Sequence, residues 1–260
     1  MASDTFNTMV KPDPDHELPL EYLVDSYSFT SIFRTMAFVG DSLASGEFET
    51  IDSDGTHHYH DLYEYSWGQF IARKNGIKAY NFSRGGMTAK WYIETFADEN
   101  DLWNSDKACQ AYVIALGVND LFNQNIPLGC IDDVKQDYHD NAKTYAGYYA
   151  QIISRSKEIS PDAKFFFVTV PDDGRDPALV KGMRELLYTF AERFSNSYVL
   201  DLYKYGPLFD GDFITKYYYN GHMNPMGYVL AAKMIDSYID YIIRHNTADF
   251  KEAGLINYTW

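Results

Sequence analysis

The chain has 260 residues, which is enough for one large α/β domain with a sizeable core. A formal charge of −15 opposes binding to nucleic acid or to anionic membranes. Two cysteines, Cys109 and Cys130, are too few for a disulfide framework, and no secretion signal or run long enough to span a membrane is visible. These features predict a cytoplasmic protein.

The first 32 residues differ in character from the rest of the chain. They contain Pro12, Pro14 and Pro19 among acidic residues, which is typical of an extended segment. We therefore predict an N-terminal extension over residues 1–32 that packs on a single domain formed by residues 33–260.

Short apolar segments alternate with helical patterns along this domain. The strands are predicted at Thr35–Val39, Ile77–Phe82, Ala111–Leu116, Lys164–Val170 and Tyr198–Leu202. The helices are predicted at Tyr63–Lys74, Thr88–Ala97, Val134–Ile159, Ala178–Phe194 and Met226–Arg244. Such alternation predicts an α/β fold, a three-layer αβα sandwich around a five-stranded parallel sheet.

The turn after the first strand reads Gly40-Asp41-Ser42-Leu43. Glycine permits a sharp turn, and Asp41 or Ser42 can cap a following helix. A serine there projects its hydroxyl from the carboxyl edge of the sheet, where backbone N–H groups at a helix start favour negative charge. Ser42 is therefore a candidate nucleophile, and the alternative is a serine that only caps a helix.

Three further candidate residues follow strands: Gly86 after the second, Asn119 after the third and His222 after the fifth. Each of them alone is typical of a turn, a cap or a loop hydrogen bond. Strand ends on one edge of a parallel sheet converge, so these three residues and Ser42 together predict a catalytic site.

The polar segment 45–62 contains His57, His58 and His60 and is predicted to be a loop. Adjacent residues rarely point at one ion, and the helical His spacing of a zinc site is absent. We predict no metal there, and the segment could instead border a pocket above Ser42.

Taken in order, these segments resemble the SGNH hydrolases, the GDSL family of esterases and lipases, from about Thr35 to Arg244. The resemblance implies a flavodoxin-like sandwich with Ser42 as nucleophile and His222 as general base. It also implies an oxyanion hole formed by Ser42, Gly86 and Asn119, and no cofactor.

One position departs from the family pattern, because Tyr219 stands where the family usually has an aspartate three residues before its histidine. Three interpretations remain open. A backbone carbonyl orients His222, a carboxylate from elsewhere does so with Asp212 and Asp210 as the nearest upstream candidates, or the site is impaired.

The predicted function is a serine ester hydrolase that acts on small acyl esters, with acetyl groups on carbohydrates as one candidate. The sugar interpretation depends on a content of 23 tyrosines, whose rings can stack on sugars. The expected partner is a small-molecule ester, without nucleic acid or membrane. The alternative function is a carbohydrate-binding protein that keeps the pocket but has lost hydrolysis.

Overall fold

A computed structural model describes residues 16–26 and 28–251. The strands are β1 Thr35–Gly40, β2 Glu47–Ile51, β3 His57–Asp61, β4 Lys78–Ser83, β5 Ala111–Ala115, β6 Lys164–Val168, β7 Ser197–Leu200, β8 Tyr218–Tyr219 and β9 His222–Met223. The α-helices are α1 Ser42–Ser45, α2 Trp67–Asn75, α3 Ala89–Trp91, α4 Ala97–Glu99, α5 Tyr145–Ile159, α6 Pro177–Arg193, α7 Leu202–Tyr205, α8 Gly211–Tyr217 and α9 Pro225–His245. A π-helical turn at Tyr92–Phe96 joins α3 to α4.

The central sheet has five parallel strands in the order β4-β1-β5-β6-β7. Gly40 at the end of β1 is in register with Ser83 of β4 and Ala115 of β5, so the turns that follow these strands begin at one edge. The predicted α/β fold and its five-stranded parallel sheet are confirmed. The connection changes direction between β1 and β5, which is where open sheets of this type bind their ligands.

Two apolar layers cover the sheet, because successive strand residues point to opposite faces. Ala37, Val39, Tyr112 and Ile114 face the layer that contains α5 and α6. Met36, Phe38, Ala111 and Val113 face the layer that contains α2 and α9.

Two predicted elements were wrong. Segment 45–62 is largely the antiparallel hairpin β2–β3, which closes through Asp52–Thr56 with Gly55 at a φ of +88°. The helix expected from Val134 begins only at Tyr145. Asp137 accepts a hydrogen bond from the backbone N–H of His139, and Asn141 accepts one from that of Lys135. Such local side-chain bonds compete with helix formation.

The described part of the N-terminal segment contacts α9. The backbone N–H of Val24 donates to Ser237 at 2.8 Å, that of Phe29 donates to Asp240 at 2.7 Å, and the Ser28 hydroxyl donates to Asp236 at 2.6 Å. The remaining residues of the predicted extension, 1–15 and 27, lie outside the described part of the chain, as do 252–260 at the end of the predicted domain.

None of the helices within residues 16–26 and 28–251 has the length and hydropathy needed to cross a bilayer. The cytoplasmic location stays a prediction from the sequence.

Candidate active site

Ser42 lies at the first position of α1, directly beyond the end of β1. Asp41 caps this helix, because its carboxylate accepts a hydrogen bond from the backbone N–H of Leu43 at 3.1 Å. The turn needs glycine at position 40, where a Cβ would collide with Ala44 and press against the carbonyl oxygen of Ala115. Burial raises the pKa of Asp41 to about 6.

The turn after β4 brings Gly85 and Gly86 to the same pocket as Ser42. Gly86 has a φ of +73°, a left-handed conformation that side chains disfavour. The buried carboxylate of Asp120 holds the end of this turn, since it accepts hydrogen bonds from the backbone N–H groups of Ala89 at 2.9 Å and Lys90 at 3.4 Å.

Asn119 follows β5 and lines the same pocket. Its side-chain amide donates to the carbonyl of Met87 at 3.1 Å, and its oxygen accepts from the amide of Asn123 at 2.6 Å. These bonds fix which way the amide points. The nitrogen carries a second N–H, which is a suitable donor for an anionic oxygen.

His222 begins β9 in a short hairpin, opposite Tyr219. Its Nδ1 lies 3.2 Å from Oε2 of Glu49, and its Nε2 lies 2.9 Å from Oε1 of Glu47. Burial disfavours the imidazolium, but the hydrogen bonds to Glu47 and Glu49 outweigh that effect and raise the pKa of His222 above its ordinary value.

Glu49 is buried, and three donors hold its carboxylate. Besides His222, it accepts a hydrogen bond from the backbone N–H of Gly221 at 2.8 Å and contacts Nδ1 of His57 at 2.5 Å. Burial opposes ionisation, but these bonds hold the pKa of Glu49 below its usual range. The residue is therefore an anion at neutral pH.

Of the three open interpretations, the geometry fits a carboxylate from elsewhere in the chain, but neither Asp212 nor Asp210 supplies it. Asp210 instead caps α8 through the backbone N–H of Phe213 at 2.9 Å, and Asp212 is exposed in the first turn of that helix. The carboxylate at Nδ1 comes from Glu49, on the hairpin that sequence reasoning had taken as a loop. The signal that could have revealed the hairpin, though not its contact with His222, is Asp54-Gly55, a hairpin turn flanked by Phe48–Ile51 and His57–Asp61.

The three histidines of the hairpin have three different partners. His57 contacts Glu49, His58 contacts Asp52 at 2.8 Å, and His60 contacts the hydroxyl of Thr50 at 3.2 Å. Residues 58 and 60 lie on the face of the strand opposite to residue 57. The three side chains therefore do not converge on one point.

One open pocket of about 480 Å³ is lined by all four residues predicted from the strand ends, which are Ser42, Gly86, Asn119 and His222. It is lined by Asp41, Ser42, Leu43, Glu47, Tyr59, Gly85, Gly86, Val118, Asn119, Asn123, Arg175, Gly221 and His222. A serine, a histidine backed by a buried carboxylate, and oriented N–H donors are the groups that acyl transfer requires.

The model of the GDSL-like lipase/acylhydrolase family matches residues 36–235 of the chain. The chain belongs to this family. As a GDSL-like acylhydrolase, the protein is a carboxylic ester hydrolase. No curated protein sequence matches it significantly.

Solved structures similar to this acylhydrolase share its fold at low sequence identity. A family two carbohydrate esterase from Clostridium thermocellum, in complex with cellohexaose, is 18% identical with a TM-score of 0.58, over 88% of this chain and 66% of the other. A carbohydrate esterase family 2 enzyme from Corynascus thermopiles is 14% identical with a TM-score of 0.56, over 88% and 69%. The lipase/acylhydrolase from Enterococcus faecalis is 17% identical with a TM-score of 0.52, over 80% and 95%.

Proposed function

We propose that the protein hydrolyses small acyl esters of polar alcohols, such as acetylated carbohydrates, through an acyl-enzyme on Ser42. The observation that carries the proposal is the environment of His222. The imidazole lines the same pocket as Ser42, and the buried carboxylate of Glu49 lies 3.2 Å from its Nδ1. This supplies a nucleophile, a base and an orienting anion, in the roles of a serine hydrolase triad.

In the first step, Nε2 of His222 takes the proton of the Ser42 hydroxyl while the serine oxygen bonds to the ester carbonyl carbon. The carbonyl oxygen becomes an oxyanion. Its donors are the backbone N–H groups of Ser42 and Gly86 and the side-chain amide of Asn119. One such donor contributes roughly 3–4 kcal/mol to the stability of the transition state.

In the second step, the imidazolium returns the proton to the leaving alcohol as the carbon–oxygen bond breaks. Water then attacks the acyl-enzyme by the same path in reverse. Glu49 keeps a proton on Nδ1 throughout, so that Nε2 is the nitrogen that exchanges protons, and its charge stabilises the imidazolium.

The substrate class is inferred from the lining of the pocket. Its rim offers the exposed ring of Tyr59, on which a sugar can pack, and the polar side chains of Asn123 and Arg175. Two proteins with the same fold are carbohydrate esterases, which agrees with a polar alcohol.

The alternative of a binding protein without hydrolysis was motivated by Tyr219, which stands in the usual position of the aspartate. Tyr219 is exposed, and Glu49 provides a carboxylate for His222 from a different part of the chain. This geometry supports hydrolysis over the binding function.

The test is release of p-nitrophenol from its acetate and its octanoate. We expect the wild type to prefer the acetate, and Ser42→Ala to lose activity by a factor on the order of 10⁶ because the nucleophile is gone. A fluorophosphonate should label the wild type once per chain and leave Ser42→Ala unlabelled. The control is Ser53→Ala in the hairpin turn, which should retain both properties. Equal activity of wild type and Ser42→Ala would overturn the proposal.

A further inference from the structure

The carboxylate of Glu47 is bonded to Nε2 of His222, the nitrogen that catalysis needs. Its Oε1 lies 2.9 Å from Nε2, while Glu49 lies at Nδ1. Carboxylate oxygens only accept hydrogen bonds, so both ring nitrogens carry a proton in this arrangement. An imidazolium cannot take the proton of Ser42. Glu47 must therefore leave Nε2 before an ester is attacked.

The backbone of Glu47 is fixed, and its side chain lines the open pocket. The carbonyl of Glu47 accepts a hydrogen bond from the Tyr228 hydroxyl at 2.6 Å, and the residue pairs with Asp61 in the hairpin. The second carboxylate oxygen lies so close to Gly85 that a Cβ there would collide with it. The carboxylate thus lies between His222 and the glycine turn, facing an open pocket of about 480 Å³.

The position that Glu47 fills is the one that the substrate must take. During turnover, Nε2 exchanges its proton first with Ser42 and then with the oxygen of the leaving alcohol. Oε1 of Glu47 therefore stands where the leaving oxygen will accept its proton. Once displaced, the carboxylate remains beside the alcohol part of the ester.

A displaced Glu47 needs a new donor, because the residue is buried and an unpaired carboxylate is costly there. Within the described residues, the donor that the structure shows for its carboxylate is His222. The guanidinium of Arg175 also lines the pocket, but it is ion-paired with Asp173. A hydroxyl of the substrate can supply the missing donor.

We propose that Glu47 selects esters whose alcohol carries a free hydroxyl on the carbon next to the ester-bearing carbon, as polyols and sugars do. Such a hydroxyl donates a hydrogen bond to Glu47 when the carboxylate leaves Nε2. The free-energy cost of displacing Glu47 is therefore small. An ester of a simple alcohol displaces Glu47 without replacing its donor. The inference rests on the proposed hydrolysis through Ser42 and His222, and it defines the alcohol that this site prefers.

Two acetates that differ by one hydroxyl test the inference: ethyl acetate and 2-hydroxyethyl acetate. The ratio of their kcat/KM values is divided by the ratio of their rates of hydrolysis by hydroxide. This division removes the intrinsic difference in reactivity between the two esters. For the wild type we expect a corrected ratio of about 10 or more in favour of the hydroxyl ester, as a hydrogen bond to a charged group implies. For Glu47→Ala the ratio should fall to about 1, and ethyl acetate should be hydrolysed faster because nothing competes for Nε2.

Glu47→Gln and Glu64→Ala complete the set. The glutamine keeps the shape but loses the charge, so its ratio should lie between those of the wild type and Glu47→Ala, and it decides the question if the alanine variant does not fold. Glu64 is an exposed glutamate on the turn after the hairpin, and its alanine variant should keep the wild-type ratio.

A wild-type ratio near 1, or the same ratio in wild type and both Glu47 variants, would overturn the role of Glu47 while hydrolysis itself stands. Equal slowing of both esters by Glu47→Ala would also overturn it, because Glu47 would then act on His222 and not on the alcohol. Absence of acetate release from both esters by the wild type, with no fluorophosphonate labelling, would instead overturn the proposed function and this inference with it.

Discussion

His222 lies between two carboxylates that have different consequences for its chemistry. Glu49 is buried, held by three donors and bonded to the nitrogen that keeps its proton. Glu47 is bonded to the nitrogen that must exchange its proton. Both stabilise the imidazolium, and Asp41 adds a weaker attraction. The histidine is therefore more basic than an isolated one, and its neutral form is reached only at a higher pH.

This environment gives a prediction for pH dependence. Hydrolysis needs neutral His222, so kcat/KM should rise with pH through the pKa of His222, with its midpoint above the ordinary value of about 6.5. Glu49→Gln removes one of the negative charges that favour the imidazolium. Its midpoint should lie at lower pH, and kcat should fall by roughly 10²- to 10⁴-fold because the imidazolium loses its orienting anion.

The measurement is kcat/KM for p-nitrophenyl acetate across the range in which the midpoint falls. Asp52→Asn is the matched control, since Asp52 binds His58 on the same hairpin, and it should leave both midpoint and kcat unchanged. A Glu49→Gln profile that coincides with that of the wild type would exclude Glu49 as the partner of His222.

At the scale of elements, the active site depends on short segments that are tied to one another. The hairpin β2–β3 starts directly after α1, and Leu62 at its end donates its backbone N–H to the carbonyl of Gly46 at 3.1 Å. The Ser45 hydroxyl of α1 donates to Asp61 at the end of β3. The hairpin that carries the two glutamates is thereby fixed to the helix that presents Ser42.

Asp120 makes a similar connection between the turn after β5 and the start of α3. Asp120→Ala leaves the backbone N–H groups of Ala89 and Lys90 without their acceptor, and it should lower the free energy of unfolding by about 1–3 kcal/mol. The activity should fall with it, because Gly86 and Asn119 flank this connection.

The loss of unfolding free energy in Asp120→Ala should depend on pH. Burial raises the pKa of Asp120 to about 6 in the folded protein, so the folded state binds a proton that the unfolded state has already released. The group's contribution to stability therefore decreases from about pH 4 to about pH 6. Urea unfolding should show a larger effect of Asp120→Ala at the lower pH. The exposed variant Asp162→Asn should show little effect, and an Asp120→Ala effect that grows with pH would contradict the assignment.

At the scale of the whole molecule, the segment before the domain is joined to the last helix by buried polar groups. Asp236 of α9 is fully buried, accepts from Ser28 and from Asn75 at 3.1 Å, and pairs with Lys74 at 2.8 Å. The N-terminal segment, α2 and α9 therefore meet at one carboxylate, which links the two ends of the described chain.

Replacing this carboxylate should destabilise the whole fold. Asp236→Ala removes the carboxylate that pairs with the partly buried ammonium of Lys74 and accepts from the buried hydroxyl of Ser28, and we expect a loss of about 3–5 kcal/mol in the free energy of unfolding. Asp25→Ala is the matched control, because Asp25 also pairs with a lysine of α9, Lys233, but is exposed. Its unfolding midpoint should stay unchanged. Equal effects of the two substitutions in urea unfolding would contradict this view.

Much of the fold could be read from local patterns. Apolar runs such as Ala111–Ala115 and Lys164–Val168 specify buried strands, and glycines and caps mark where the helices between them begin and end. The hairpin was missed because its strands are polar. Because β3 is exposed along its whole length, its sequence shows no alternation of apolar and polar residues.

The sequence by itself determined the sandwich, the order of its strands along the chain, and the polar residues at strand ends that share one pocket. Those features depend on short-range patterns and on the fact that parallel strands end at one edge. Only the tertiary structure decided which carboxylates reach His222. Glu49 stands 173 positions away in the chain, and a contact of that separation is fixed by how the hairpin folds back over the sheet edge, which no local pattern encodes.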